Sequence, residues 1–223
     1  MKRVIITVLF MLSSYTLHSE GLADLFGGKS EPAYYTSEID GRLKVYLTDE
    51  IKDPNAYTAL IATISSSNAS DIDLYLSGNG GSVRSLNNIT NILDKSGKTV
   101  HVKVYGDVYS AHAMLAISFE DMTAADDNIL FLFHIPASEL KSGDVVPPEE
   151  ACNAVDPSLK DRGISSKQKC VEYAKMFMKQ FEMTTLPKIK KVLTAEQYNR
   201  MLAGEDVTIT YKELKENKAA NGG

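Results

Sequence analysis

The sequence lacks the features that identify several classes of protein. It has no stripe of lysine and arginine, and its net charge at pH 7 is −5, which together argue against binding to nucleic acid. The apolar run Val4–Leu12 is too short to span a bilayer. No internal repeat is visible. No Gly-Lys-Ser/Thr sequence follows the glycine pair at Gly80, so a phosphate-binding loop is not predicted.

Cysteine is scarce as well. The chain has two, Cys152 and Cys170, which are 18 positions apart. A metal site would need further ligands, and no histidine lies nearby in the sequence, so no metal is expected. In an oxidising compartment a disulfide that closes a loop of this size contributes about 3 kcal/mol. We expect a disulfide that staples an insertion; two free buried thiols are the alternative.

The first residues have the pattern of a secretory signal. Lys2 and Arg3 are basic, Val4–Leu12 is apolar, and small residues precede the bond between Ala23 and Asp24, where cleavage is expected. No cysteine lies nearby, which argues against a lipoprotein. The sequence therefore predicts a signal peptide over residues 1–23 and export to the periplasm; an uncleaved anchor is the alternative.

The rest of the chain fits one domain. After cleavage about 200 residues remain, and 43% hydrophobic with 24% charged residues are ordinary proportions for a soluble globular protein. We expect a flexible lead-in over residues 24–40, a single domain over 41–216 and a disordered tail over 217–223. An insertion at about 138–166 is rich in proline, glycine and charge, which discourages helix.

The most informative stretch is residues 71–136. Apolar residues alternate over 72–76, return at helical spacing over 86–93, alternate again over 100–104 and form a continuous run over 129–133. Ala111–Ile117 is apolar nearly all round, as in a buried helix. Strands that alternate with helices of this length predict a parallel α/β sheet.

Three features that carry chemistry follow strands of this sheet. The Gly80-Gly81 turn leaves backbone N–H groups free, Ser110 opens a helix, and His134 follows the next strand. Ligands collect at the carboxyl ends of parallel strands, so the pattern indicates acyl transfer by serine. Taken singly, each feature has a simpler interpretation: a tight turn, a helix N-cap and a structural histidine.

Three motifs in this stretch carry a family resemblance. Gly78–Ser82 is similar to a Ser-Pro-Gly-Gly-Ser turn, Gly106–Ser110 to a Gly-x-Ala-Ala-Ser nucleophile turn, and His134–Pro136 to His-Gln-Pro. In order and spacing they resemble the proteolytic subunit of Clp protease, within the wider ClpP/crotonase superfamily. The resemblance covers residues 45–137 well and the C-terminal third poorly.

The resemblance implies a fold and a mechanism. The fold would be ClpP/crotonase-like, with stacked ββα units and a mainly parallel sheet flanked by helices. Ser110 would be the nucleophile and His134 the general base, and the N–H groups of Gly81 and Ala111 would form the oxyanion hole. Substrates would be peptides or unfolded polypeptides, the protein would form a homo-oligomer, and no cofactor would be needed.

Departures from the family pattern raise two questions. Tyr109 replaces a small residue directly before the serine, and Asn79 stands where the family has proline. Directly after the serine, Ala111-His112 stands where the family has Met-Gly. We expect the tyrosine and the histidine to reshape or crowd the specificity pocket. Family alignment also puts the triad acid at Leu202, so that Asp206 serves only if the chain is offset by a turn. The remaining candidate acids are Glu205, Asp156 and Asp161.

Three hypotheses follow. The first is an exported, ATP-independent serine peptidase; ATP-driven unfoldases are cytosolic, so no ATPase partner is expected. The second is a catalytically weakened or inactive binding or structural module of the cell envelope, since loss of a triad acid costs several powers of ten in rate. The third is a crotonase-like acyl-CoA enzyme, but export argues against CoA binding.

The remaining third of the chain has clear local signals. The sequence predicts a helix over Lys167–Phe181 with one apolar face. It also predicts a short strand over Val207–Thr210, and capping boxes that begin helices at Thr194 and Thr210.

Overall fold

The computed structural model describes residues 34–52, 54–139, 145–152 and 167–222. Its strands are β1 (Tyr35–Ile39), β2 (Arg42–Leu47), β3 (Asp71–Gly78), β4 (Thr99–Tyr109), β5 (Met122–Ala124), β6 (Leu130–Phe133), β7 (Ser138–Glu139), β8 (Val145–Val146) and β9 (Val207–Thr210). Its helices are α1 (Thr58–Ser66), α2 (Val83–Lys95), α3 (Ala111–Ala116), α4 (Pro148–Ala151), α5 (Lys167–Thr184), α6 (Leu186–Val192), α7 (Ala195–Leu202) and α8 (Tyr211–Ala220). None of these helices is long and apolar enough to cross a membrane.

A mixed sheet carries the fold. Within the described residues it has the strand order β1-β2-β3-β4-β6-β9, and β5 pairs beside β4. The strands from β2 to β6 run parallel, because α1, α2 and α3 provide the crossover connections that parallel neighbours require. Both edge strands, β1 and β9, are antiparallel to their neighbours.

Alternation along the strands separates a buried face from an accessible one. In β2, Leu43, Val45 and Leu47 are buried, whereas the residues between them are half-buried. Leu86, Ile89 and Leu93 of α2 pack into the same core, and every residue of α3 is buried. The prediction of a buried helix directly after Ser110 is therefore confirmed.

The accessible face of the sheet carries an ionic network. Arg42 donates to both carboxylate oxygens of buried Asp73, at 3.0 and 2.5 Å, and Lys103 lies 3.1 Å from the same carboxylate. The hydrogen bonds from Arg42, followed by that from Lys103, lower the pKa of Asp73 to about 2. Tyr46 and Tyr75 stack beside them with ring centroids 4.6 Å apart. The network links β2, β3 and β4.

Two predictions about the ends of the chain need correction. The lead-in expected over residues 24–40 contains β1, which pairs with β2 through a turn at Asp40-Gly41 with positive φ at both residues. The tail expected to be disordered from Asn217 is helical as far as Ala220. Asn217 donates to the carbonyl of Val192, which ties α8 to α6. Residues 1–33, with the signal peptide and its Ala23–Asp24 cleavage bond, lie outside the described residues.

Helix and strand signals beyond His134 are confirmed. The helix expected over Lys167–Phe181 is α5, and the expected strand is β9. Both capping boxes are present, at Thr194 with Gln197 and at Thr210 with Glu213. β4 is longer than expected, because it continues past Gly106 to the residue before Ser110 through a shift of register against β3.

The expected disulfide is confirmed. Cys152 directly follows α4 and bonds to Cys170 in α5, with the two Cα atoms 5.6 Å apart. With Ala174 and Val171 the pair forms a small apolar cluster separate from the main core. The cross-link therefore holds α4 in place, whereas the sheet is held by the main core and depends on the cross-link far less. Of the expected insertion, residues 140–144 and 153–166 lie outside the described residues.

Replacing both cysteines by serine should loosen α4 while the sheet stays folded. A disulfide that closes a loop of this size stabilises the folded state by about 3 kcal/mol. Without it, hydrogen exchange in residues 145–152 should accelerate on the order of a hundredfold. Amides of β3 and β4 should keep their protection. Hydrogen exchange read by mass spectrometry checks both, and the reduced wild type provides a control without substitution. Unchanged exchange in residues 145–152 would show that the cross-link does not hold α4.

Candidate active site

Ser110 stands at a sharp turn between β4 and α3. Its backbone has φ +53° and ψ −119°, a conformation that residues other than glycine rarely adopt. Its N–H donates to the carbonyl of Leu132 at 2.8 Å, and its carbonyl accepts from Met114 at 3.0 Å. These two bonds hold the strained turn, whose cost is of order 1–3 kcal/mol. Such a turn projects a serine hydroxyl out of a sheet, as in a nucleophile elbow.

His134 directly follows β6, the parallel neighbour of β4. Tyr109 pairs with Leu132, so the two strands end side by side and bring the serine and the histidine together. His134 Nε2 lies 2.6 Å from Ser110 Oγ. The imidazole side chain is one-third exposed, with Nδ1 on its far side. When Nδ1 carries the proton, Nε2 can accept the hydroxyl proton of the serine.

Asp206 directly precedes β9, the strand on the other side of β6. Phe133 pairs with Val207 in the antiparallel β6–β9 ladder, so the next pair in register is His134 with Asp206. Asp206 Oδ1 lies 3.6 Å from His134 Nδ1, which is within ion-pair reach but longer than a hydrogen bond, and its side chain is 67% exposed.

The other candidate acids are placed differently. Leu202, the position that alignment favoured, ends α7 and is exposed; a turn after it carries the chain to Asp206. Asp206, one turn beyond the aligned position at Leu202, is thus the residue that lies beside His134. Glu205 instead pairs with Arg200 at 2.8 Å. Asp156 and Asp161 lie outside the described residues.

The glycine turn after β3 lies against the serine turn. Gly80 and Gly81 have φ +98° and +121°, and a Cβ on Gly80 would stand 2.6 Å from Ser110 Cβ. Gly80 O accepts from the N–H of Ile51, and Ile51 O accepts from that of Ser82, both at 2.7 Å. The N–H of Gly81 takes part in none of these bonds.

The second expected oxyanion donor is at the start of α3. Ala111 is the first residue of that helix, where a backbone N–H has no partner within the helix. Its nitrogen would stand 3.2 Å from a Cβ on Gly80, so the glycine turn and the start of α3 are in close contact. The N–H groups of Gly81 and Ala111 therefore belong to two adjoining turns.

His112 has a contact that the sequence did not indicate. It is fully buried, and its Nδ1 accepts the N–H of Gly80 at 3.0 Å. Its Nε2 has no hydrogen-bond partner among the described residues. Burial lowers the pKa of His112 to about 4, so the ring is neutral near pH 7 and can act as the acceptor that holds the glycine turn.

A cleft of about 590 Å³ opens in front of Ser110 and His134. One wall comes from the cross-linked segment and is largely apolar: Ala151, Cys152, Cys170, Tyr173, Ala174 and Phe177. The polar residues Asn79, Ser82 and Arg84 also line the cleft. No group of three or more histidine, cysteine, aspartate or glutamate side chains in the described part of the chain could hold a metal ion.

Neither Tyr109 nor His112 is among the described residues that line this cleft. The Tyr109 hydroxyl donates to Asp107 at 3.0 Å, on its own strand. His112 lies behind the glycine turn, in the core.

The fold and site define a ClpP-like α/β protein with serine and histidine at adjacent strand ends. A family model described as Clp protease matches residues 29–146. The chain therefore belongs to the Clp protease family, and the family resemblance and fold class inferred from sequence are confirmed. Among solved structures, the ClpP protease catalytic domain from Plasmodium falciparum matches with 17% identity and a TM-score of 0.49, covering 78% of this chain and 79% of that one. No curated protein matches the chain.

Backbone strain at Ser110 can be measured by comparing two variants. Ser110→Gly should have a free energy of unfolding roughly 1 kcal/mol higher than Ser110→Ala, because glycine tolerates positive φ. Both variants lack the hydroxyl, so its bond to His134 cancels in the comparison. Urea unfolding gives the two values, with Ala111→Gly, in helical conformation, as a control that should be destabilising. Equal stability of the two Ser110 variants would argue against strain.

His112 should make stability depend on pH. Its folded-state pKa of about 4 lies below the ordinary value of 6.5, so between these values the unfolded chain binds a proton that the folded chain does not. Stability should fall by about 3 kcal/mol as pH drops from 6.5 to 4, relative to His112→Asn, whose side chain does not titrate. Urea unfolding at several pH values measures this difference. A constant offset between the two proteins would contradict a neutral, buried His112.

Proposed function

We propose that the protein is an exported, ATP-independent serine peptidase in which Ser110 is the nucleophile and His134 the general base. The observation that carries the proposal is the 2.6 Å contact between Ser110 Oγ and His134 Nε2 at two adjacent strand ends. A serine that served only as a helix N-cap would accept from a backbone N–H of α3, and Ser110 makes no such bond. Its strained backbone is also unneeded for capping.

The proposed reaction follows the usual steps of a serine peptidase. Ser110 Oγ attacks the peptide carbonyl carbon while its proton passes to His134 Nε2, and the carbonyl oxygen becomes an oxyanion that the N–H groups of Gly81 and Ala111 receive. When the tetrahedral intermediate collapses, the C–N bond breaks and His134 returns the proton to the leaving amine. Water then hydrolyses the acyl-enzyme with the same base.

Asp206 is the proposed orienting acid. A carboxylate facing Nδ1 favours the tautomer that leaves Nε2 free to accept, and it stabilises the imidazolium that forms during attack. Catalytic hydrogen bonds are often long before substrate binds, so the 3.6 Å gap is compatible with this role. Because the Asp206 side chain is exposed, water screens its charge.

That gap and exposure are also what favours the alternative function. A family member whose acid stays 3.6 Å away would be a catalytically weakened or inactive binding module of the cell envelope. Both functions would use the same cleft, and turnover separates them.

Location, substrate and partners follow from several observations together. The Cys152–Cys170 disulfide and the signal-like N-terminal sequence support export, since disulfides persist in oxidising compartments. Substrates would be peptides or unfolded polypeptides lying extended in the cleft. The proposal includes a homo-oligomer, as in other Clp proteases, and requires no ATPase, no CoA and no cofactor.

Peptide cleavage by the oxidised chain from Asp24 onwards tests the proposal. Wild type should cleave members of a fluorogenic peptide library, and Ser110→Ala and His134→Ala should fall to background. Asp206→Asn should lose a factor on the order of 10² to 10⁴ in kcat, because the imidazole loses its orienting charge. Glu205→Gln is the matched control, since the neighbouring carboxylate pairs with Arg200 instead. Absence of cleavage by folded wild type, or undiminished cleavage by Ser110→Ala, would contradict the proposal.

A further inference from the structure

The charges lining the cleft are unbalanced. The described residues that line the cleft include no aspartate, glutamate or lysine, and Arg84 is the single arginine among them. This is unexpected in a chain of net charge −5. Among these described lining residues, an anionic group that enters the cleft would therefore find a cation in Arg84 and no carboxylate.

Arg84 differs from the other arginines of the described segments. Arg42 is paired with Asp73, and Arg200 with Glu205. Arg84 is exposed and makes no ion pair with any residue that the structure describes. Its guanidinium is therefore available to a ligand, and its planar set of donors matches a carboxylate in a bidentate arrangement.

The position of Arg84 relates it to the reacting atoms. It lies in the first turn of α2, three residues after Gly81, the proposed oxyanion donor. Ser82 caps the helix by accepting from the N–H of Ser85, which fixes this turn relative to the glycines. If the scissile carbonyl of a substrate points at Gly81, the substrate residues beside that bond would thus lie near the Arg84 guanidinium.

We propose that Arg84 binds a carboxylate of the substrate, so that the enzyme prefers peptides with an acidic side chain or a free C-terminus close to the scissile bond. This rests on the proposed peptidase function. Tyr173 and Phe177, which line the same cleft, would contact apolar parts of the same peptide. The anionic group would be held by Arg84 while the scissile bond lies at Ser110.

Matched peptides provide the test. One series carries aspartate or asparagine at successive positions around a cleaved bond, and a second has a free or an amidated C-terminus. A charge-assisted hydrogen bond pair predicts a preference of about ten- to a hundredfold in kcat/KM for one carboxylate over its neutral partner. Arg84→Gln should abolish the preference and Arg84→Glu should reverse it. The series that shows the effect tells whether the carboxylate is a side chain or a C-terminus.

Two controls keep this test separate from that of catalysis. Lys175→Gln removes an exposed cation of α5 that does not line the cleft, and the preference should persist in it. Binding of the same peptides to Ser110→Ala, measured by fluorescence anisotropy, reports on recognition without turnover. If wild type cleaves nothing but Ser110→Ala binds carboxylate peptides through Arg84, the peptidase proposal fails and the recognition site stands. If acidic and neutral peptides are cleaved or bound equally well, the role of Arg84 is refuted.

Discussion

The site depends on the position of β6 between a parallel and an antiparallel neighbour. Parallel pairing with β4 makes both strands end together, which places His134 Nε2 at 2.6 Å from Ser110 Oγ. Antiparallel pairing with β9 makes that strand begin where β6 ends, so Asp206 arrives at the other ring nitrogen. A change of register by one residue would turn the side chains to the opposite face and separate them. Backbone hydrogen bonds of the sheet therefore decide the geometry of the chemistry.

Strain and close contact concentrate around the serine. Ser110 holds a positive φ, and the glycine turn approaches it so closely that a single added carbon atom would clash. The buried core supports both, since α3 is anchored in it and His112 accepts the N–H of Gly80 from within it. The rigid core beneath the two turns holds their backbone N–H groups in place, as the proposed oxyanion hole requires.

Local patterns in the sequence were sufficient for the central fold. Period-two alternation identified β3 and the start of β4, helical spacing identified α2, and unbroken apolar runs identified α3 and β6. Three short motifs located Ser110, His134 and the glycine turn. The carboxylate nearest His134 was harder to predict, because alignment assumes a constant distance along the chain whereas sheet register sets the distance in space. The β6–β9 pairing is what brings Asp206 towards His134. The contact of His112 could not be predicted, since nothing in a sequence shows that a buried imidazole accepts a backbone N–H 32 positions away. β1 was missed because its residues are mostly half-buried or exposed and show little apolar alternation.

The most direct test of the central claim is covalent labelling of the oxidised chain by a fluorescent phosphonate, read by intact mass and by peptide mapping. The account predicts a single adduct on Ser110 that forms slowly or not at all in His134→Ala, since the imidazole must accept the hydroxyl proton for the phosphorus to be attacked. A cooperative unfolding transition in each protein would show that it is folded. Folded wild-type protein that remains unlabelled, or a label on another residue, would contradict a working Ser110–His134 pair.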